Sequence, residues 1–304
     1  DDHDAVVVPA FDGGYCLIGF RVDGYTPSVF RGIVWSTGTV CAETQAILAG
    51  EGKSVKTLPT LRDIDTASDI KYLPPSRKFS IIIPVLHEAE NINALIKRLH
   101  GMKGAGDCEI IIVDGSPDAD TLAVIEDGGV LRILSGKGRA RQMNAGAAAA
   151  LGAVLIFLHA DTALPECALS KVSQVMKSGQ YVGGAFGLLI DSKHPFIKFT
   201  SWSAGLRSRF TRIPYGDQAI FIGRDYFHSI GGYNDIPLME DVELMGRIKK
   251  LGGKICILNE PAITSPRKFL KDGPVYSAFR NHTLRIMYSL GVSPEKLEKL
   301  YYRD

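Results

Sequence analysis

Apolar runs alternate with helical patterns along most of this chain. Phe79-Ser-Ile-Ile-Ile-Pro-Val85, Glu109-Ile-Ile-Ile-Val113, Val130-Leu-Arg-Ile-Leu134 and Val154-Leu-Ile-Phe-Leu158 are short and almost wholly apolar. Such runs read as strands covered on both faces. Between the first two, Ile92, Leu95, Ile96 and Leu99 recur at helical spacing. A short helix is expected from Leu122 to Glu126, and the Ala-rich stretch Ala145 to Leu151 favours another. Further strands are expected at Gly183–Ile190, Tyr215–Ile222 and Lys254–Leu258. A helix is expected from Pro237 to Leu251, stopped by Gly252-Gly253, with Leu244, Met245 and Ile248 on its apolar face. Another runs from Tyr276 to Leu290, and a short one follows Val292. Strands alternating with helices in this order predict an α/β fold, a mainly parallel sheet with helices on both faces.

The first 75 residues have a different texture. Ala5–Pro9 and Tyr15–Phe20 are strand candidates joined by the turn Phe11-Asp-Gly-Gly14. A helix from Thr39 to Leu48, a strand at Val55 and a capped helix start at Asp63–Asp69 follow. Lys71-Tyr-Leu-Pro-Pro-Ser-Arg-Lys78 has the composition of a linker. The expected domains are therefore 1–75 and 79–304.

Composition narrows the class without naming a function. At 304 residues the chain can bury a substantial core, and its net charge of +2 argues against a bulk nucleic-acid binder. No apolar run reaches the roughly 18 residues of a membrane span. The acidic opening Asp1-Asp-His-Asp4 is unlike a secretory leader. Five cysteines lack any CxxC spacing, which suggests free thiols in a reducing cytoplasm.

The candidate chemistry sits where the strands stop. In an open parallel sheet, ligands bind beyond the carboxyl ends of the strands. Here those ends carry Glu88, Asp114, the Lys137–Arg141 cluster and Asp161. Carboxylates suit the N–H and O–H groups of a base and ribose. Lys137, Arg139 and Arg141 at a helix N-terminus suit a diphosphate, and Asn144 lies three beyond Arg141 on the same face. Asp161 could hold a divalent ion on that diphosphate or could cap the next helix. Arg267 is either a surface charge or a second diphosphate clamp.

Two stretches leave alternatives open. Residues 192–216 hold no acid, while Lys193, Lys198, Arg207, Arg209 and Arg212 are spread among Phe196, Phe199, Trp202 and Phe210. Such a stretch is either a basic surface for an anionic lipid or acceptor, or a helix pair packed on the sheet. The hydrophobic residues are not set in one clean stripe, which favours packing over membrane contact. Asp241 points the same way as Met245 and Ile248, so it is an inward cap or a base. The helix dipole would lower its pKa and burial would raise it.

Together these motifs resemble a known family. Ser80-Ile-Ile-Ile-Pro84-Val-Leu-His-Glu88, Ile111-Ile-Val-Asp114-Gly-Ser-Pro-Asp118, Gly138-Arg-Ala-Arg-Gln-Met-Asn144, Leu158-His-Ala-Asp161-Thr and Met239-Glu240-Asp241-Val-Glu243 resemble family 2 glycosyltransferases. The resemblance implies a glycosyltransferase-A fold and inverting transfer of a sugar from a nucleotide donor to an unknown acceptor. It implies that Pro84, Glu88 and Asp114 meet the nucleoside. Asp161 would bind Mg or Mn, with His159 standing where the family's first metal Asp is expected. Asp241 would be the general base, beside Glu240, and Gln218 would belong to the donor site. The Arg-Gln-Met-Asn and His-Ala-Asp variants look most like the branch tied to arsenosugar biosynthesis. Asp12-Gly-Gly-Tyr15-Cys-Leu-Ile-Gly19, Trp35-Ser-Thr37 and Arg62-Asp-Ile-Asp65-Thr resemble the C-terminal half of a second glycosyltransferase-A-like family related to nucleotidyltransferases. The first block is therefore expected to be a partial domain, with Asp63 and Asp65 as helix caps or metal ligands. Nucleotidyl transfer and non-catalytic nucleotide-sugar binding are the competing functions.

Overall fold

The computed structural model describes residues 3–61 and 77–302. The helix start expected at Asp63–Asp69, the metal alternative at Asp63 and Asp65, and most of the linker lie outside these residues. Contacts divide the chain into two compact units, Asp1–Leu73 and Pro74–Asp304.

The first unit contains β1 (Ala5–Pro9), β2 (Tyr15–Phe20), α1 (Val40–Gly50) and β3 (Val55–Thr57). Its sheet has the order β2-β1-β3, antiparallel then parallel. Ala5, Val29 and Leu48 form its small core.

The second unit runs β4 (Arg77–Val85), α2 (Ile92–His100), β5 (Cys108–Asp114), α3 (Asp120–Ala123), β6 (Leu131–Leu134), α4 (Arg139–Ala149), β7 (Gly152–Phe157), β8 (Thr162–Ala163), α5 (Ala168–Lys177), β9 (Gly183–Ile190) and α6 (Pro195–Thr211). It continues through β10 (Ile220–Gly223), α7 (Arg224–Ser229), α8 (Glu240–Lys250), β11 (Ile255–Thr264), α9 (Arg267–Asp272), α10 (Pro274–Ser289) and α11 (Pro294–Tyr301). Eight strands form one sheet in the order β6-β5-β4-β7-β10-β9-β11-β8. The half from β6 to β7 is parallel, as the alternation predicts. In the other half β10 runs antiparallel to both β7 and β9, and β8 antiparallel to β11, so the sheet is mixed.

Successive strand residues face opposite sides, and each side has its own core. Ile81, Ile83, Ile110, Ile112 and Ile156 pack with Ile92 and Leu95 of α2 and Leu169 of α5. Ile82, Ile111, Val113 and Leu155 pack with Met143 of α4 and Leu244, Met245 and Ile248 of α8. This is why the four central strands are uniformly apolar. Close approach of α4 depends on Gly146, where a Cβ would stand 2.4 Å from Ile82 Cγ2.

Three local expectations change. Asp161-Thr162 caps no helix: it leads into β8, and α5 begins at Ala168. α8 begins at Glu240 rather than Pro237, because Met239 takes a left-handed φ of 70° just before it. Residues 195–211 form one 17-residue helix, not a pair. None of the five cysteines is paired in a disulfide.

Candidate active site

The strand ends build the site in two parts. A cavity of about 490 Å³ lies beyond β4, β5 and β6, lined among others by Leu86, His87, Pro117, Leu134 and Lys137. Apolar walls of Leu and Pro suit a flat base, and Lys137 supplies a cation at the edge where α4 begins. His87 sits in the left-handed region at φ 56°, with Nδ1 2.9 Å from Asp120 Oδ2.

Buried polar residues give this part its shape. Asp114 has no accessible surface. Its Oδ1 accepts the Ser116 N–H at 2.8 Å, and its Oδ2 accepts those of Thr121 and Leu122 at 3.2 and 3.4 Å. The carboxylate thus fastens the turn after β5. Gln142, also buried, donates through Nε2 to Val85 O and Val113 O at 2.7 and 2.8 Å. It ties α4 to the ends of β4 and β5.

Glu88 and Arg267 are 179 residues apart and meet directly. Arg267 Nη2 lies 3.1 Å from each Glu88 oxygen. Asn91 Nδ2 also donates to Glu88 Oε2 at 2.9 Å. Close by in the chain, Ser265 N–H donates to the Asp161 carbonyl at 3.0 Å. The loop after β11 therefore joins the ends of β4 and β7. Pro84 is part of β4 and is half-buried.

The second part surrounds Asp241. His159 follows β7, and its Nδ1 lies 3.1 Å from Asp217 Oδ1. Gly216 packs so tightly on that ring that a Cβ there would stand 2.8 Å from His159 Nε2. The Gly216 N–H donates to Asp241 Oδ2 at 2.7 Å, and Val242 N–H donates to Oδ1 at 2.7 Å. The Asp241 carboxylate is therefore both a cap of its own helix and a partner of the 215–218 turn.

Burial decides the electrostatics here. Loss of water pushes the Asp241 carboxyl above the ordinary carboxylate range, and the N–H groups of Gly216 and Val242 offset only part of that. Glu240, 6% exposed, is raised by its own burial and then by the Asp241 charge. Partial loss of water around the Arg139 guanidinium is outweighed by the Glu240 and Asp217 carboxylates, which hold it above its usual value, although the residue keeps an exposed surface. The buried Tyr233 phenol is pushed well up by burial and by the same two α8 carboxylates. The site thus sets a cluster of carboxyl groups beside the Arg139 guanidinium.

Several residues expected at the donor make other contacts. Arg141 Nε bonds both oxygens of Asp235 at 2.9 and 2.8 Å in an exposed pair. Asn144 clasps the Tyr233 backbone, donating to its carbonyl at 2.8 Å and accepting its N–H at 2.9 Å. Gln218 is wholly buried and donates to Phe186 O at 2.9 Å and Ser208 Oγ at 3.1 Å. It fixes the turn that carries Asp217. Gln142 and Asp217 escaped the sequence reading. Gln142 stands inside a quoted motif, but nothing local marks it as inward, and Asp217 is marked only by its contact with His159.

Among the described residues, no group of three or more His, Cys, Asp or Glu side chains could hold a metal ion. Asp161 brings one carboxylate, and His159 Nδ1 faces Asp217. The protein's own atoms therefore do not compose an ion site at His159 and Asp161.

Residues 80–229 match the family model described as glycosyl transferase family 2. Residues 1–37 match the model described as an uncharacterized protein conserved in bacteria (DUF2064). The structure of S. aureus TarS residues 1–349 is similar at 14% identity and a TM-score of 0.50, covering 73% of this chain and 69% of that one. A second structure of S. aureus TarS covers 74% of this chain and 42% of its own, again at 14% identity and TM-score 0.50. At that identity the likeness concerns the fold alone. A candidate nucleotide-diphospho-sugar transferase of Desulfovibrio desulfuricans G20 is 43% identical over 23% of this chain and 30% of its own, with a TM-score of 0.22. No curated protein matches the chain.

Proposed function

We propose, from the match of residues 80–229 to the family model described as glycosyl transferase family 2, that this chain moves a sugar from a nucleoside diphosphate to an acceptor hydroxyl with inversion. In this reading the base occupies the cavity beside Leu86, Pro117 and Leu134. The Glu88–Arg267 pair stands at its edge, and Lys137 and Arg139 face the diphosphate.

The reaction is a single displacement. Asp241 takes the proton of the acceptor hydroxyl as its oxygen attacks the anomeric carbon. The bond from that carbon to the diphosphate breaks on the opposite side, which inverts the configuration. The diphosphate leaves with the electron pair, and Lys137 and Arg139 balance its charge. No step is assigned to a metal, because His159 and Asp161 do not form an ion site on their own.

One observation carries the reading. Asp241 is half-buried, held by two N–H groups and raised in pKa. A base of that kind works closer to neutral pH than a free carboxylate. The resemblance of Arg141–Asn144 and His159–Asp161 to the arsenosugar branch puts arsenosugar biosynthesis first among contexts to try. The five free thiols support a reducing compartment, the cytoplasm.

A nucleotide panel read by thermal shift identifies the base, since a bound ligand raises stability as the logarithm of its concentration. Turnover of the matching nucleotide sugars follows. Asp241→Asn is expected to keep the thermal shift and lose transfer. Transfer retained by that variant removes Asp241 as the base. A thermal shift with no turnover of any donor supports a binding module instead.

A further inference from the structure

Two neighbouring helices of the second unit carry their large apolar side chains on the wrong side. In an ordinary surface helix the apolar stripe faces the core and the polar face meets water. The buried residues of α6 are Ile197, Ser201 and Ser208, two of them polar. At about 100° per residue, Phe199, Trp202, Leu206 and Phe210 share the opposite face. Trp202 is 62% exposed and Phe210 81%. α10 repeats the pattern. Its buried residues are Ser277 and Leu284. Val275, Phe279 and Ile286 fall on the opposite face, continued by Leu290 at its end, and Phe279 is 70% exposed. α6 and α10 pack against each other.

No acidic residue occurs from 192 to 216. Lys198 and Arg209 border one side of the α6 stripe, while Arg207 turns inward and donates to Ile213 O at 2.8 Å. Between 267 and 290 the single acid is Asp272, and its charge is taken by Arg280 at 2.8 Å. Beside the α6 stripe lies a hollow of about 200 Å³, lined by Trp202, Leu206 and Arg209 among others. An apolar face bordered by cations and free of acids complements a bilayer with anionic headgroups. It complements a second copy of itself poorly, since like charges would meet at the rim.

We propose that the outer faces of α6 and α10 form a peripheral docking surface for an anionic lipid bilayer. The apolar side chains enter the headgroup boundary, and Lys198 and Arg209 stay at the phosphate level. No described helix is long and apolar enough to cross a membrane, so the contact is interfacial. The docking helices also reach the site: Arg207 of α6 lies 3.8 Å from the Tyr215 ring centre and Arg285 of α10 lies 5.8 Å from it. The proposal does not depend on which reaction the site performs.

The test is co-sedimentation of the 304-residue chain with vesicles of phosphatidylcholine alone or mixed with phosphatidylglycerol. Binding is expected to the mixed vesicles, with a loss at 0.5 M salt. The variant Phe199→Ser, Trp202→Ser, Phe210→Ser, Phe279→Ser should lower the partition coefficient by about tenfold or more. These side chains are exposed, so thermal unfolding should be unchanged. In a Trp35→Phe background, Trp202 emission should move to the blue on adding mixed vesicles. Absence of binding to mixed vesicles at low salt overturns the proposal. So does a dimer in sedimentation equilibrium that the same variant dissolves while vesicle binding stays absent, which would make this face a contact between copies.

Discussion

Asp241 Oδ2 accepts the main-chain N–H of Gly216 at 2.7 Å, although the two residues are 25 apart in the chain. That bond joins the start of α8 to the turn that also holds Asp217 against His159. Neither segment positions the carboxylate by itself. The turn supplies an N–H that orients the carboxylate, and the burial it causes raises the carboxylate's pKa.

Asp241→Asn keeps an oxygen for the Gly216 N–H and removes the proton acceptor. Transfer should fall by about 10²–10⁴-fold, the usual worth of general base catalysis. Nucleotide binding, read by thermal shift, should stay unchanged.

The acid limb of the pH profile should have its midpoint above the ordinary carboxylate range, because Asp241 must be ionised to act and its folded pKa is raised by burial. Stability should show the matching trend. Asp241 and Glu240 hold protons in the folded chain at pH values where the unfolded chain has released them. Stability therefore declines as pH climbs from the ordinary carboxylate range to their raised values. Asp241→Asn should flatten that slope in a series of denaturant titrations.

Gly216→Ala places a methyl 2.8 Å from His159 Nε2. The ring must turn, and the 3.1 Å approach of Nδ1 to Asp217 is lost with it. Steady-state kinetics should show kcat reduced more than the donor KM, with far-UV dichroism unchanged.

Removal of Gln142 should act on stability first. Gln142→Ala removes the side-chain donor shared by Val113 O and Val85 O, the latter still accepting the Gly115 N–H at 3.0 Å, at a cost of about 1–3 kcal/mol. Arg267→Ala breaks an exposed pair and should change stability by less than about 1 kcal/mol. Its effect should appear in nucleotide affinity. Calorimetric unfolding and nucleotide titration of both variants separate the two outcomes.

Alkylation mapped by mass spectrometry should rank the thiols. Burial, with Glu109 and Asp107 adding to it, pushes the Cys108 thiol up to about 12. It should react far more slowly at pH 8 than Cys16, which is exposed.

Much of this protein was legible in its sequence. Almost wholly apolar runs at Phe79–Val85, Glu109–Val113 and Val154–Leu158 read as strands covered on both sides. The spacing of Ile92, Leu95, Ile96 and Leu99 could only be a helix facing them. Polar groups at the strand ends located the site, since period and burial act over a few residues at a time. Orientation was different, because it is set by partners far off in the chain. That Asp114 and Gln218 also satisfy buried main-chain groups was not visible in the sequence. One helix in place of two gave residues 195–211 a continuous outer apolar face. Whether the dipole or burial governed Asp241 depended on Gly216 and Asp217 closing over it. Local patterns thus fixed the elements and the edge of the sheet where chemistry belongs. Only the packed chain, where desolvation and distant hydrogen bonds compete, decided which of those polar groups stayed free to act.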